Sequence, residues 1–166
     1  VLKKIKMSLY YLYYHNMPPI GVWGPTTWNF FHTLAEKIHE DDFPKLGPQL
    51  LLLIKRICRY LPCPDCSNHA TLFFQRTTPD AFSTKEKMKT GLYILHNAVN
   101  RRKNKVIAKR TILDMYKSHN VIRAFNKFIQ VYHTRGNMRL LTDTFQRQLI
   151  IKDLRKWLIT NIKSFT

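Results

Sequence analysis

Cysteine is scarce in this sequence. Only Cys58, Cys63 and Cys66 occur among 166 residues. Three clustered thiols are too few to form the disulfide framework that holds a small secreted domain together. We therefore expect these thiols to serve local chemistry or packing, and the class of disulfide-stapled secreted domains is excluded.

Acidic residues are scarce as well. The chain has 10 Asp and Glu against 28 Lys and Arg, which gives a formal net charge of +18 and a pI near 10.1. A strongly basic surface favours an acidic partner such as nucleic acid, an anionic membrane or a phosphate-bearing cofactor. Because 45% of the residues are hydrophobic, the chain can bury a core, and wholesale disorder is excluded. The length fits one domain.

Long hydrophobic runs are missing. The longest, Leu50 to Ile54, is far shorter than the roughly 18 residues that a membrane span needs, so we expect no membrane span. The first residues, VLKKIKMSLYYLYY, imitate a signal peptide. They are rich in tyrosine, however, and end at His15 and Asn16 without a small-residue cleavage site. We therefore expect no secretion signal there.

Apolar residues recur with helical spacing along most of the chain, and strand-like alternation is rare. The pattern predicts an all-α fold. Gly24 and Pro25 suit the start of the first helix, and Thr111 can cap a helix that contains Ile112, Met115 and Tyr116. Other helices are predicted at residues 50–61, from residue 63 to a point before 77, from Ser83 or Thr84 through residue 99, at 121–132 and at 145–162, with a loop at residues 135–137.

Cys63 and Cys66 form a C-x-x-C motif where the third helix is predicted to begin. That spacing allows a disulfide within one turn, and a helix N-terminus lowers the pKa of a thiol, so the motif suits thiol–disulfide exchange. The same motif is half of many zinc sites, and Cys58 and His69 could complete one. Cys58 also continues the apolar stripe of the second helix, which favours a buried, inert thiol. A thioredoxin-like site is disfavoured because no βαβ pattern surrounds the motif.

Two further groups of residues have helical spacing. Trp28 and His32 are one turn apart in the segment that begins WGPTTW, and His96 and Asn100 are one turn apart in HNAVN, with Lys105 five residues further on. Taken singly, Trp28 and His96 are typical core residues. Together with a redox-capable C-x-x-C, these rings, amides and a lysine are what a flat, phosphate-bearing redox cofactor requires.

In this order the three motifs resemble the Erv/ALR family of FAD-linked sulfhydryl oxidases: WGPxxW with a following His, then C-x-x-C, then H-N-x-V-N-x-x-x-x-K. The resemblance covers Trp23 to about Tyr116. The form Cys63-x-x-Cys66-x-x-His69-Ala70 is most similar to the short members encoded by large DNA viruses. For a viral chain this implies the host cytoplasm or virion assembly sites as the location.

The resemblance implies a four-to-five-helix FAD-binding bundle with additional C-terminal helices. It divides the chain into a basic, Tyr-rich segment at residues 1–22, an oxidase domain at 23–117 and a basic helical extension at 118–166. Cys66 would be the sulfur next to the flavin, and Cys63 the sulfur that substrate thiolates attack. The implied cofactor contacts are Gly24, Trp28, His32, His96, Asn97, Val99, Asn100 and Lys105, with Tyr116 near the adenine; no metal is implied.

The implied activity is the oxidation of thiols in protein substrates to disulfides, with dioxygen as the electron acceptor and hydrogen peroxide as its product, usually in a homodimer. Because no cysteine follows Cys66 in these 166 residues, we expect a protein dithiol, thioredoxin-like in our hypothesis, to reach Cys63 directly, or a partner to supply an intermediary thiol pair. Nucleic acid is not required. The alternative function is that of a zinc-bearing or basic helical module that binds partners or nucleic acid.

For residues 118–166 the sequence leaves two interpretations. Their apolar stripes would cover the core or a dimer mate, or their basic face would dock an acidic partner or nucleic acid.

Overall fold

The computed structural model describes residues 20–132 and 138–165. Within these ranges the chain is helical and contains no strand, which confirms the all-α prediction. No helix among these residues has the length and apolar character needed to cross a bilayer. The predicted basic segment at residues 1–22 and the loop at 135–137 lie almost entirely outside the described residues. The α-helices are α1 (Ile20–Lys37), α2 (Phe43–Arg59), α3 (Pro64–Arg76), α4 (Lys85–Arg102), α5 (Val121–Tyr132) and α6 (Met138–Asn161).

Helix α1 begins at Ile20, four residues before the predicted start, so the boundary predicted from Gly24 and Pro25 was wrong. Pro25 lies inside the helix, where it removes one backbone hydrogen bond near the N-terminus without ending the helix. One face of α1 is buried as the apolar spacing predicted. Its core residues include Phe30, Phe31, Leu34 and Ala35, and the buried Ile38 follows directly after the helix.

The C-x-x-C motif of Cys63 and Cys66 lies where α2 ends and α3 begins. Helix α2 buries an apolar stripe that includes Leu50, Ile54 and Ile57, and it ends at Arg59 before the buried Pro62. Cys63 is the N-cap residue of α3 and Pro64 is its first residue, a position where the missing N–H of proline costs nothing. The predicted start of the third helix is confirmed.

The start of α4 also follows from its sequence. The Thr84 hydroxyl accepts a hydrogen bond from the backbone N–H of Lys87 at 3.2 Å, which satisfies one of the free donors of the first turn. The helix that we predicted after Thr111 is a 3₁₀ helix over Arg110–Ser118, and it begins before Thr111. In a 3₁₀ helix residues three apart lie on one edge. Here that edge carries the buried Leu113 and Tyr116.

The described part of the C-terminal extension, residues 118–132 and 138–165, packs on the preceding helices. Phe128 of α5 stacks on Phe30 of α1 with ring centroids 4.8 Å apart. Helix α6 lies against α2, where Asp153 accepts a hydrogen bond from Arg56 at 2.9 Å. The packing interpretation of these helices is therefore confirmed for the single chain. The extension places Val121, Ala124, Phe125, Phe128, Tyr132, Ile150, Leu154, Leu158 and Phe165 in the common core.

Candidate functional site

Cys63 and Cys66 form a disulfide at the N-terminus of α3, with their Cα atoms 5.2 Å apart. The Cys63 sulfur also accepts a hydrogen bond from the backbone N–H of Cys66 at 3.2 Å. That N–H is one of the helix donors that lack a partner within the helix, and together with the helix dipole it favours negative charge on Cys63. Cys66 is 9% exposed whereas Cys63 is only half-buried. An incoming thiolate therefore has better access to Cys63.

Neighbouring side chains fix the backbone on both sides of the disulfide. The Ser67 hydroxyl donates to the carbonyl of Leu61 at 3.4 Å. Arg102, at the end of α4, donates to the carbonyl of Asp65 at 3.1 Å and so ties α4 to the first turn of α3. His69, one turn after Cys66, has a buried Nδ1 with no partner among the described residues. Its pKa is lowered by burial and by the charge of Arg102, so the ring is neutral near pH 7.

Cys58 has a different environment from the paired cysteines. It is a free thiol, 3% exposed, in the apolar core. Burial raises its pKa to about 12, so the thiol stays protonated and unreactive at neutral pH. This confirms the interpretation of Cys58 as a buried, inert thiol. In residues 20–132 and 138–165 no group of three or more His, Cys, Asp or Glu side chains is placed to hold a metal ion.

Four rings predicted as site residues meet in one aromatic cluster, formed by Trp28, His32, His96 and Tyr116. The indole of Trp28 stacks on His96 with centroids 4.2 Å apart and planes 10° from parallel. His32 lies 3.1 Å from His96 between Nε2 and Nδ1, and its ring stacks on Tyr116 at 4.9 Å. The cluster thus joins α1, α4 and the 3₁₀ helix. Its members come from separate motifs and were expected to share a site.

Both histidines of the aromatic cluster are neutral at physiological pH. Burial and the nearby His96 lower the pKa of His32 to about 3, and burial with the charge of Lys105 lowers that of His96 to about 4. One ring nitrogen in their hydrogen bond must therefore donate and the other accept. The remaining nitrogen of His32, Nδ1, is buried and has no partner within the described part of the chain. A buried polar atom of this kind is what a bound ligand would satisfy.

The loop after α4 is held by side chains of the predicted site. The Asn97 amide donates to the carbonyl of Ala108 and its oxygen accepts from the Ala108 N–H, both at 3.0 Å. The Asn100 amide lies 3.4 Å from the Asn97 oxygen, and the carbonyl of Asn100 accepts from the N–H of Lys105 at 2.9 Å. Asn104 adopts a left-handed φ of 52°, which asparagine tolerates. These bonds hold Lys105 near His96.

Basic side chains border the same loop. Lys105 is exposed close to the aromatic cluster, and the other exposed basic residues here are Arg101, Arg102, Lys103, Lys109 and Arg110. Stacked rings with an unsatisfied ring nitrogen, beside cations that can pair with phosphates, fit a flat, phosphate-bearing cofactor. Gly24 and Val99 are half-buried on α1 and α4. Their predicted cofactor contacts, like those of Asn97 and Asn100, stay predictions.

Three residues near the site were not predicted from the sequence. Arg102 holds the α3 terminus, and His119 lies 3.5 Å from the Thr33 hydroxyl with its ring 5.2 Å from that of Tyr116. Arg147 is buried against the end of α2. The basic stretch at residues 101–105 could have suggested Arg102. Neither His119 nor Arg147 lies in a motif, and their contacts span 86 and 87 residues of sequence, so no local signal could have found them.

Comparison with known proteins places these features in context. The family model described as Erv1 / Alr matches residues 25–119. A protein of Invertebrate iridescent virus 3, provisionally named a FAD-linked sulfhydryl oxidase, is 30% identical over 58% of this chain and 66% of its own length. The FAD-linked sulfhydryl oxidase ERV1 of Arabidopsis thaliana is 30% identical over 51% of this chain and 44% of its own length.

A third relative comes from Invertebrate iridescent virus 6 and carries the same kind of provisional name. It is 28% identical over 55% of this chain and 87% of its own length. The matched part of the chain thus spans less than two thirds of the first two relatives. No solved structure matches the chain significantly.

Proposed function

The chain belongs to the Erv1/Alr family, and from this premise we propose that it is a FAD-linked thiol oxidase that forms disulfides in protein substrates. The resemblance drawn from its three motifs is confirmed. The observation that carries the proposal is the Cys63–Cys66 disulfide at the N-terminus of α3. A helix-capping disulfide with one accessible sulfur is suited to exchange with other thiols.

We assign the substrate-facing role to Cys63. A substrate thiolate forms a bond to the Cys63 sulfur, the Cys63–Cys66 bond breaks, and Cys66 leaves as a thiolate. A second substrate thiolate then attacks the sulfur of the mixed disulfide that belongs to the substrate. The oxidised substrate is released and Cys63 leaves as a thiolate. The N–H of Cys66 and the helix dipole stabilise that thiolate, and a leaving thiolate of lower pKa leaves faster.

The aromatic cluster and the basic loop are the proposed FAD site. Trp28 and His96 offer stacked ring faces, the buried Nδ1 of His32 is open to a hydrogen bond, and Lys105 carries a charge for the phosphates. Gly24, Asn97, Val99, Asn100 and Tyr116 complete the proposed contacts, with Cys66 as the flavin-proximal sulfur. When bound, FAD accepts an electron pair from a thiolate and passes it to dioxygen, which gives hydrogen peroxide.

The substrate and assembly are proposed on the family resemblance. We expect a protein dithiol substrate, thioredoxin-like in our hypothesis, and a homodimer. Exposed apolar side chains support a protein contact of some kind: Leu52 of α2 and Ile94 of α4 are 63% and 51% exposed. Light scattering of the purified chain tests the dimer. The location, in host cytoplasm or virion for a viral chain, stays a prediction.

Replacing one sulfur tests the proposed function directly. The Cys66→Ser variant should remain yellow, because the proposed flavin contacts are intact, but should lose oxygen consumption with reduced dithiothreitol by at least a hundredfold. Cys58→Ala is the matched control, because it removes the third sulfur and should leave turnover within about twofold. A colourless wild-type protein that holds zinc, or a Cys66→Ser variant with wild-type turnover, would overturn the proposal.

A further inference from the structure

The end of α2 nearest the disulfide is held by two side chains of the C-terminal extension. The Tyr132 hydroxyl, on α5, donates to the carbonyl of Ile57 at 3.3 Å. The Arg147 guanidinium, on α6, donates to the carbonyl of Tyr60 at 3.4 Å. Both acceptors belong to the last turn and C-cap of α2. The Ile57 carbonyl also accepts from the N–H of Tyr60 at 3.1 Å, so the two side chains bind the same capped helix end. Tyr60 precedes Cys63 by three residues.

Arg147 is unusual because its side chain is only 1% exposed. A guanidinium is always charged in proteins, and burying a charge is costly unless hydrogen bonds compensate. Arg147 donates to Tyr60 and to the Thr144 hydroxyl, the latter at 3.2 Å. Its charge also lies at the C-terminal end of a helix, where the dipole favours a cation. Apolar residues of similar volume often stabilise a core as well or better, so stability alone does not account for a buried arginine here.

The contact made by Arg147 leads directly to the redox pair. The segment from Tyr60 to Pro62 joins α2 to Cys63; the carbonyl of Tyr60 is bound by Arg147 and that of Leu61 by Ser67. Since Pro62 is buried and its φ is fixed, few free torsions remain between the anchored Tyr60 and Cys63. We propose that Arg147 is a positioning residue that holds Cys63 next to Cys66 and thereby favours the disulfide over the dithiol. The inference rests on the proposed redox role of the pair.

The equilibrium that Arg147 should shift is exchange with glutathione. Two glutathione thiols are oxidised to one glutathione disulfide, while the Cys63–Cys66 bond breaks and the two cysteines take up the two protons and two electrons. A backbone that keeps the two Cα atoms 5.2 Å apart raises the effective concentration of one thiol toward the other. Loosening the end of α2 lowers that concentration and shifts the equilibrium toward the dithiol.

The test compares Arg147→Met with Arg155→Met in the full chain under anaerobic glutathione buffers. Methionine keeps most of the apolar volume but cannot donate to Tyr60, and Arg155 is an exposed residue of the same helix. We expect Arg147→Met to shift the equilibrium about tenfold toward the dithiol, equivalent to about 30 mV. Arg155→Met should match the wild type. Arg147→Lys replaces the several N–H donors of the guanidinium with one ammonium group. It should shift the equilibrium about threefold in the same direction.

The outcomes separate this inference from the proposed function. A purely structural role would lower the melting temperature of Arg147→Met and leave its exchange equilibrium at the wild-type value, which overturns the inference alone. If Arg147→Met does not fold, Arg147→Lys decides, and a shift under twofold overturns the inference. A wild-type disulfide that glutathione cannot reduce would overturn both the inference and the proposed function.

Discussion

The proposed oxidase domain, residues 23–117, and the C-terminal extension bury their side chains in contrasting ways. The oxidase domain holds polar groups at its site in partly or fully buried positions, including His32, His96 and Asn97. The buried face of α5 is chiefly apolar, with Phe125 and Phe128 packed around Phe30. Burying polar groups costs free energy that burial of apolar groups supplies. The contrast indicates that α5 stabilises a domain whose site lowers its stability. Helix α6 is the exception in the extension, because it buries the charged Arg147.

Charge follows the same division. Residues 118–166 carry nine basic and two acidic residues, and most of the described basic side chains there are exposed. Lys105, in the oxidase domain, is held near His96 by backbone hydrogen bonds. The basic character that first indicated nucleic acid therefore has two locations, a solvated surface on the extension and the exposed basic loop at residues 101–110, which holds Lys105 beside the aromatic cluster.

We expect the largest effect on stability from removing a buried aromatic ring of the extension, which tests the comparison most directly. Phe128→Ala removes a fully buried ring that stacks on Phe30, and we expect the free energy of unfolding to fall by about 3–5 kcal/mol. Urea denaturation measures this change. Ile122→Ala, at a 43% exposed position of the same helix, is the control and should cost less than about 1 kcal/mol. Equal losses in the two variants would show that α5 does not stabilise the domain through its buried face.

Much of this arrangement could be predicted from the sequence because it depends on local patterns. Helical spacing identified buried residues of α1 and α2, and the start of α4 was expected at Ser83 or Thr84, of which Thr84 is the N-cap residue. The segment after Thr111 was not recognised as a 3₁₀ helix, because the three-residue spacing of Ile112 and Met115 suits both helix types. The structure exposes this pair and buries Leu113 and Tyr116 instead. The start of α1 was missed because proline is tolerated near a helix N-terminus.

The candidate site was predictable in its members but not in its geometry. The motifs identified Trp28, His32 and His96, yet which rings stack depends on how α1 packs against α4. The hydrogen bonds of Asn97 to Ala108 depend on the loop closing back on α4. Contacts between distant parts of the chain, such as Arg147 with Tyr60, follow from tertiary packing and leave no periodic signal in the sequence.

A second prediction concerns the dependence of stability on pH. The pKa values of His32 and His96 in the folded chain, about 3 and about 4, lie below the unfolded value of 6.5. The unfolded state therefore binds protons first as the pH falls, and stability declines from about pH 6.5 toward pH 4. For His32 alone the expected loss is about 2 kcal/mol between pH 6.5 and 5.

His32→Phe isolates this contribution. Phenylalanine keeps an aromatic ring against Tyr116 but cannot take up a proton, so the slope of unfolding free energy against pH should fall by about 1 kcal/mol per pH unit at pH 6 and by about 1.3 kcal/mol per pH unit near pH 5. Urea unfolding of both proteins without flavin, between pH 7.5 and 5, measures the slope. An unchanged slope would contradict the assignment of a neutral, buried His32. It would also weaken the view that buried polar groups of the proposed oxidase domain lower its stability.

We expect the smallest effects from substituting two tryptophans, one in the proposed oxidase domain and one in the extension. Trp28 stacks on His96 in the proposed FAD site, whereas Trp157 of α6 donates from Nε1 to Gln49 of α2 at 2.8 Å. Trp28→Leu should weaken flavin binding about tenfold, because an aromatic contact is worth roughly 0.5–1.5 kcal/mol beyond its buried area. Trp157→Leu should lower the free energy of unfolding by about 1–2 kcal/mol and leave flavin binding unchanged.

Flavin titration followed by absorbance, together with urea denaturation, measures both quantities in both variants. The comparison is sharp because each substitution removes the same indole and leaves the same leucine. If Trp157→Leu also released flavin, the extension would contribute to the cofactor site, and its role could not be reduced to packing and to the support of α2. If Trp28→Leu kept full flavin affinity, the aromatic cluster would be part of the core, and the FAD site would have to lie elsewhere in the oxidase domain.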